Sequence, residues 1–446
     1  MFSDDFLPAA TGVGIHCQII CRHLVCLGHC VSVVTCQHEA HISSTDKYTT
    51  TTTHKVENWQ VKGDNNTLHD ISIYRVPSKK IFGFYQALPS EEWIEQFLLD
   101  FQPHVVHHHY LGFMCKRAIK VVHKLRNRCS SMINVPSSNL SHIYTYHMTL
   151  DHLTQPFLMK MFKPWIRGQI SKLCNSVDMI ISVSKNLVQE IPTQAQVHSR
   201  IPIKWISNPV DSLMFNVDQV IPVARQAKFQ VLFVGRLNPE KNLPLLLRGF
   251  ASFLKMFSLQ TDTNENAVLW IAGSGSDEKK LVKLCERLHI EMHVKFLGFL
   301  ESSSLSTYYK ACDVFVLPSF VETQGLAAME AMSFSKPVIV SQQIVSCLEL
   351  LDKLDSTTSL SFKSSYAQEL QPWLCQNGFM VDAHDDQQLA QQLYELYLNA
   401  EMRVWMGDNS RRKTQQFRPQ VILKQLLDAY NESLLSCKVN NNNCFL

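Results

Sequence analysis

The chain has 446 residues, with 42 Lys and Arg against 39 Asp and Glu; at a formal charge of +3 it lacks the dense basic stripe that tracking a nucleic-acid backbone requires. Its length exceeds what one hydrophobic core organises and predicts two domains. The 14 cysteines show no CxxC pair, against a secreted disulfide framework and for a reducing cytosol, and no leader or membrane-length apolar run interrupts the expectation of a protein that is soluble or attached to a membrane surface.

In chain order, an apolar helix-strand region carries Cys17, Cys21, Cys26, Cys30 and Cys36. A threonine-rich stretch, residues 38–66, reads as a surface excursion, because the strand-like run ISIYRV resumes after it. The run PHVVHHHY places His104, His107, His108 and His109 on alternating faces of a strand, with no second ligand cluster nearby in sequence. These histidines read as polar groups lining a cleft rather than metal ligands. The segment FLMKMFKPWIRGQISK interleaves Lys160, Lys163, Arg167 and Lys172 with Leu158, Met161, Phe162, Trp165 and Ile166. Such a segment suits a membrane interface and equally a solvated helix face interrupted by Pro164, and the second reading is preferred here. A polar stretch, residues 212–228, is the expected crossover from an N-terminal domain, 1–211, to a C-terminal domain, 229–415.

The second half contains three strand-turn-helix units. In VLFVGRLNPEKNLPLLLRGF, Arg236 and Lys241 stand at a strand's end, where a planar fork and a point charge suit phosphate oxygens; as a surface turn they would be solvated and idle. In VLWIAGSGSDEKKLVKLCERL, Gly273 and Gly275 lack the third glycine of a dinucleotide fingerprint, so they are expected to form a turn beside a site. In VFVLPSFVETQGLAAMEAM, Glu322 falls in the loop at a strand's mouth and Glu330 inside the following helix. A helix N-terminus there offers N–H groups to an anion, Gly325 lets backbone approach, and the two carboxylates accept hydrogen bonds from sugar hydroxyls. The alternative is a helix cap at Glu322 and a solvated charge at Glu330. A last helix, 416–436, is followed by a tail, 437–446, with too little apolar surface to order itself.

The strings GRLNPEKN, AGSGSDE, VKFLGFL, ACDVFVLPSFVETQGLAAMEAM and KPVIVS, in this order, resemble the retaining glycosyltransferases of family 4. DDFLPAATGVGIHCQIICRHLVCLGHCVSVVT, YTYHMT, DMIISVSKNLVQEI and SNPVD resemble landmarks of that family's first domain. The resemblance covers most of the chain and implies an α/β GT-B fold of two facing Rossmann-like domains, with the last helix packing back on the first. It implies a nucleoside diphosphate sugar as co-substrate, without a catalytic metal or other cofactor. Glu330 would bind the ribose hydroxyls, Glu322 the sugar near its reacting carbon, and Arg236 and Lys241 the diphosphate. The turn Gly12, Val13, Gly14 would approach that diphosphate, and His147 would be the active-site histidine at the sugar. Thr323, Gly325 and Leu326, with Gly273 and Gly275, complete the expected donor-binding set.

Two departures from the family carry expectations of their own. Only Met1 and Phe2 precede Ser3 and Asp4, so the first central strand is expected to be short or missing, exposing backbone groups on its neighbours. The glycine loop reads TGVG, with Thr11 where many relatives have glycine. ETQG in place of EGFG resembles the glycolipid-forming branch, notably diacylglycerol glucosyltransferases. It directs the expected acceptor to a lipid and the expected location to the cytoplasm or the cytoplasmic face of a membrane. A soluble saccharide or a protein as acceptor, and a non-catalytic GT-B scaffold, are the alternatives; a nicotinamide-dependent dehydrogenase is disfavoured by the incomplete glycine fingerprint.

Overall fold

The computed structural model describes residues 1–7, 11–37, 55–63, 67–81, 84–109, 112–129, 140–147, 161–210, 217–258, 266–354 and 371–442. Two compact units result, one of Met1–Pro209 with Pro419–Leu446 and one of Val210–Arg418.

In the first unit, β1 (Ser32–Cys36) runs parallel to β3 (Leu68–Val76), and β2 (Lys55–Lys62) pairs antiparallel with β3. β4 (Ser78–Ile81) and β5 (Phe84–Ala87) form a separate hairpin. β6 (Val105–His108), β7 (Ser141–Tyr146), β8 (Met179–Ser182) and β9 (Ile203–Trp205) form a parallel set in that order. Phe2 bridges β1 and β6. Its N–H donates to His107 O at 2.8 Å and its carbonyl accepts from His109 N at 3.0 Å, while Val34 N donates to Met1 O and Ser3 N to Val34 O. The first strand is thus as short as expected, but its three residues occupy the central slot and satisfy the neighbours that were expected to lose partners.

Part of the expected surface excursion is corrected by β2. Trp59 and Val61 point inward, alternating with exposed Asn58, Gln60 and Lys62, and Arg75 Nε donates to Glu57 Oε2 at 2.8 Å across the pair. This period of two identifies a strand with one solvated face. Residues 38–54 of that excursion lie outside the described residues.

The second unit holds β10 (Phe229–Val234), β11 (Ala267–Ala272), β12 (Val294–Gly298), β13 (Val314–Leu317), β14 (Val338–Ser341), β15 (Leu374–Cys375) and β16 (Gly378–Val381). Their order is β12-β11-β10-β13-β14-β16-β15, all parallel except β15. Runs such as VLFV and VFVL are continuous in apolar residues because both faces of the sheet are covered. Phe229, Val231 and Phe233 pack with Leu246 and Phe250 on one face, and Leu232 and Phe315 pack with Trp270, Met329 and Met332 on the other. The strand order reverses between β10 and β13, and ligands of such sheets bind beyond the carboxyl ends at that switch point.

The last helix, Pro419–Asn442, returns to the first unit. Ile422, Leu423, Leu426 and Ala429 pack with Ile20 and Leu24 of the helix Gly12–Cys26 and with Ile143 and Met179 of β7 and β8. It runs six residues beyond its expected end at 436, so the tail expected to be disordered is helical through Asn442, while residues 443–446 lie outside the described ones. Among the described residues, no helix is long and apolar enough to cross a membrane.

Candidate functional site

The loops that follow β10 and β13 flank the switch point of the second unit. After β10 the chain enters a single 3-10 turn, Pro239–Lys241, and Asn242 takes a left-handed conformation at φ 51°, which Asn tolerates better than most side chains. The Asn242 side chain donates to Pro318 O at 3.2 Å and to Ala383 O at 2.9 Å, tying together the loops after β10, β13 and β16. Phe320 N donates to Glu240 O at 2.8 Å as a further tie. Asn242 escaped the sequence reading, and the only local signal for it was an asparagine immediately before a leucine-rich helix.

Across these two loops Lys241 Nζ meets Glu322 Oε1 at 2.5 Å, with both side chains largely buried. Ser319 Oγ donates to the same carboxylate oxygen at 3.1 Å, and Ser346 Oγ to the Glu322 carbonyl at 2.8 Å. Glu322 is therefore not a helix cap, and the helix Leu326–Ser333 begins instead at Gly325, φ 76°. A Cβ at Gly325 would stand 2.9 Å from both Cys347 Sγ and Leu317 Cδ2, so glycine is required there by packing and backbone alike. Thr323 and Leu326 are half-buried on either side.

Glu330 is buried in that helix, which removes the reading of a solvated charge. Tyr309, on the helix Ser302–Ala311, donates its hydroxyl to Glu330 Oε2 at 2.8 Å. Burial raises the Glu330 carboxyl to about 7, partly offset by that hydrogen bond. Tyr309 is a second partner the sequence reading missed, since nothing in YYK marks which tyrosine turns inward. Arg236 is 56% exposed, with its guanidinium 3.5 Å from Glu240. Gly273 and Gly275 pack on the turn after β10: a Cβ on Gly273 would lie 1.9 Å from Gly235 O, and one on Gly275 2.4 Å from Leu237 O. Leu237 N donates to Ser274 O and Asp277 N to Leu237 O, so these glycines let two strand-end turns lock together.

In the first unit, Gly12, Val13 and Gly14 form the opening turn of the helix Gly12–Cys26, where Thr11 Oγ1 accepts from Gly14 N at 3.2 Å as the N-cap. Thr11 thus has a capping task that glycine would lack. His16, one residue beyond Ile15 on the same helix, meets His109 at the end of β6 and His147 at the end of β7. Candidate ligand atoms of all three lie within 4.8 Å of one another. No second ligand cluster lies near the histidine run in sequence, but folding supplies one from a helix and a neighbouring strand. Faces do alternate as expected: His107 and His109 point to Thr145 and His147, and His108 points to His142. His104 is exposed. Burial holds His16 down at about 4 and His109 and His147 well below the ordinary imidazole value, so the rings are uncharged at neutral pH.

The described part of the basic-aromatic segment forms the helix Lys163–Cys174 and the residues before it. Met161 is 76% and Trp165 63% exposed, beside exposed Phe162 and Phe113. Lys116 Nζ stands over the rings of Phe113 and Trp165 at 5.8 and 5.9 Å. Leu158 and Lys160 lie outside the described residues.

Two family profiles match in tandem, "Glycosyltransferase Family 4" over residues 10–212 and "Glycosyl transferases group 1" over residues 217–413. An uncharacterized glycosyltransferase of Methanocaldococcus jannaschii is 34% identical over 171 residues, 36% of this chain and 42% of its own length. The alpha-monoglucosyldiacylglycerol synthase of Acholeplasma laidlawii is 25% identical over 357 residues, 76% of this chain and 79% of its own. Among solved structures, the Anabaena protein HepE in complex with UDP and glucose superposes with a TM-score of 0.62 at 16% identity, over 97% of this chain and 98% of its own. The fold is GT-B.

Proposed function

We propose, for a chain that belongs to the group 1 and family 4 glycosyltransferases, that it moves a hexose from a nucleoside diphosphate sugar, a UDP-sugar, to an acceptor hydroxyl with retention at the anomeric carbon. The observation that carries this reading is the Lys241–Glu322 pair at the β10/β13 switch point, with buried Glu330 on the adjoining helix. The bond between the anomeric carbon and the diphosphate breaks, a bond from that carbon to the acceptor oxygen forms, and the proton of the acceptor hydroxyl leaves with the departing diphosphate. In this reading Arg236, Lys241 and the N-terminus of the helix Leu326–Ser333 take up the charge that builds on the diphosphate, in place of a catalytic metal. Glu330 accepts hydrogen bonds from the ribose, and Glu322 and His147 bind the sugar. Thr323, Gly325 and Leu326 shape the loop around it, and the Gly12, Val13, Gly14 turn approaches the diphosphate.

The acceptor is proposed to be a membrane lipid of the diacylglycerol type, used at the cytoplasmic face. Two observations support it: the likeness to a monoglucosyldiacylglycerol synthase across three quarters of the chain, and the exposed Met161, Phe162, Trp165 and Phe113 beside Lys116, which suit an anionic interface. In this proposal the segment serves as an interfacial face rather than a merely solvated one. Incubating the protein with UDP-sugars, with and without diacylglycerol liposomes, and following UDP release tests both levels. Release that requires liposomes and is lost in Glu322→Ala is expected. Release indifferent to liposomes would overturn the lipid acceptor, and silence with every donor would overturn the transferase reading in favour of a scaffold.

A further inference from the structure

We infer that His16, His109 and His147 form a binding site for a divalent transition-metal ion of the zinc class. Three imidazoles are a recurrent ligand set for such an ion, at about 2.0–2.1 Å from metal to nitrogen. A tetrahedral centre with those bonds spaces its nitrogens about 3.3 Å apart. His109 Nδ1 and His147 Nε2 already stand 3.1 Å apart, and the ring of His16 is 4.7 Å from that of His147 and 5.2 Å from that of His109, centre to centre. Candidate ligand atoms of the three lie within 4.8 Å of one another, so the His16 ring has to turn toward the other two to close the triangle.

Independent support comes from unmet hydrogen bonding. The three residues are only 5%, 1% and 7% exposed, and His16 Nδ1 and His109 Nε2 have no hydrogen-bond partner among the described residues. Buried imidazole nitrogens are normally satisfied, and of these two it is His16 Nδ1 that an ion would supply with a partner. The same strand shows the contrast: His107 is satisfied at both nitrogens, by Tyr430 Oη and Thr145 Oγ1, each at 2.7 Å. With ligation through His109 Nδ1 and His147 Nε2, each ring keeps its one proton on the other nitrogen, so neutral rings bind without net proton release. The His107 ring packs against that of His109, 4.0 Å centre to centre. Among the described residues no fourth His, Cys, Asp or Glu joins the group, which leaves a coordination position for water or a substrate hydroxyl.

The site has a consequence that rests on the proposed role of His147. An ion held there ties the His147 ring to His16 and His109 and takes it from the donor contact proposed for it, so zinc inhibits transfer rather than promoting it. The test is titration of metal-free protein with Co2+, read by its visible d–d absorption. The expected result is one equivalent bound with tetrahedral or five-coordinate bands, displaced by Zn2+. His109→Ala and the milder His109→Gln, both checked for native circular dichroism, are expected to weaken binding at least ~100-fold, more than loss of an outer-shell partner does. Absence of bands in the wild-type protein overturns the proposal, as do bands that survive both variants. A near-ultraviolet thiolate charge-transfer band also overturns it, because it would put the ion on cysteine. Failure of the transferase reading would show as absent UDP binding in metal-free protein and leaves the cobalt readout intact.

Discussion

Lys241 and Glu322 neutralise each other across the two loops, and in the proposed reading a diphosphate and a sugar each claim one of them. Removing one partner strands the other in a largely buried place, at a cost of about 1–3 kcal/mol or somewhat more for a charge. Lys241→Met is therefore expected to lower Tm by several degrees, and Lys241→Met with Glu322→Gln to recover part of the loss, as thermal unfolding would show. Glu330 makes a pH-dependent prediction. Its folded value is raised to about 7 from an unfolded value of 4.5, so its contribution to stability is complete below about 4.5 and is lost as pH rises through about 7. Asp4, also raised to about 7 by burial, acts over a similar window, so Glu330→Gln is expected to flatten only part of the slope. Ribose hydroxyls favour the charged carboxylate, so UDP affinity is expected to rise with pH through that region. Tyr309→Phe removes a hydrogen bond that lowers the Glu330 value, and calorimetry is expected to show weaker UDP binding at pH 7 with the dependence displaced upward.

At the scale of elements, glycines and one asparagine decide where the loops can go. Gly273→Ala and Gly275→Ala drive a Cβ into the backbone of the turn after β10, and each is expected to cost about 3 kcal/mol or more in denaturant unfolding. Without a third glycine these two are expected to form a turn, and their packing on the backbone of Gly235 and Leu237 is why the turn needs glycine. Strands β10, β11 and β13 were legible because parallel strands covered on both faces are continuous apolar runs. β2 was not, because its alternation is confined to a few residues following a threonine tract. Asn242 joins carbonyls 76 and 141 residues away, and His16 meets two strand ends; such long-range meetings leave no local pattern to read. The last helix was legible as an apolar periodicity, but its extra turns through Asn442 run over polar residues with no such signal. Leu426→Ala on that helix is expected to cost about 2–5 kcal/mol, read in the unfolding of the first unit.

For the whole molecule, each unit has its own core, and the donor is proposed to bind at the carboxyl ends of β10 and β13 in the second. A nucleotide that binds only the native second unit stabilises it by ~2.7 kcal/mol at about one hundred times its Kd. The assignment is tested most directly by amide hydrogen exchange of the wild-type protein with and without saturating UDP. The account predicts slowed exchange at residues 235–242 and 319–331, the loops after β10 and β13 and the first turns of the helix bearing Glu330, and loss of that footprint in Lys241→Met with Glu330→Gln. Protection that avoids both loops, or that persists unchanged in the double variant, would contradict it.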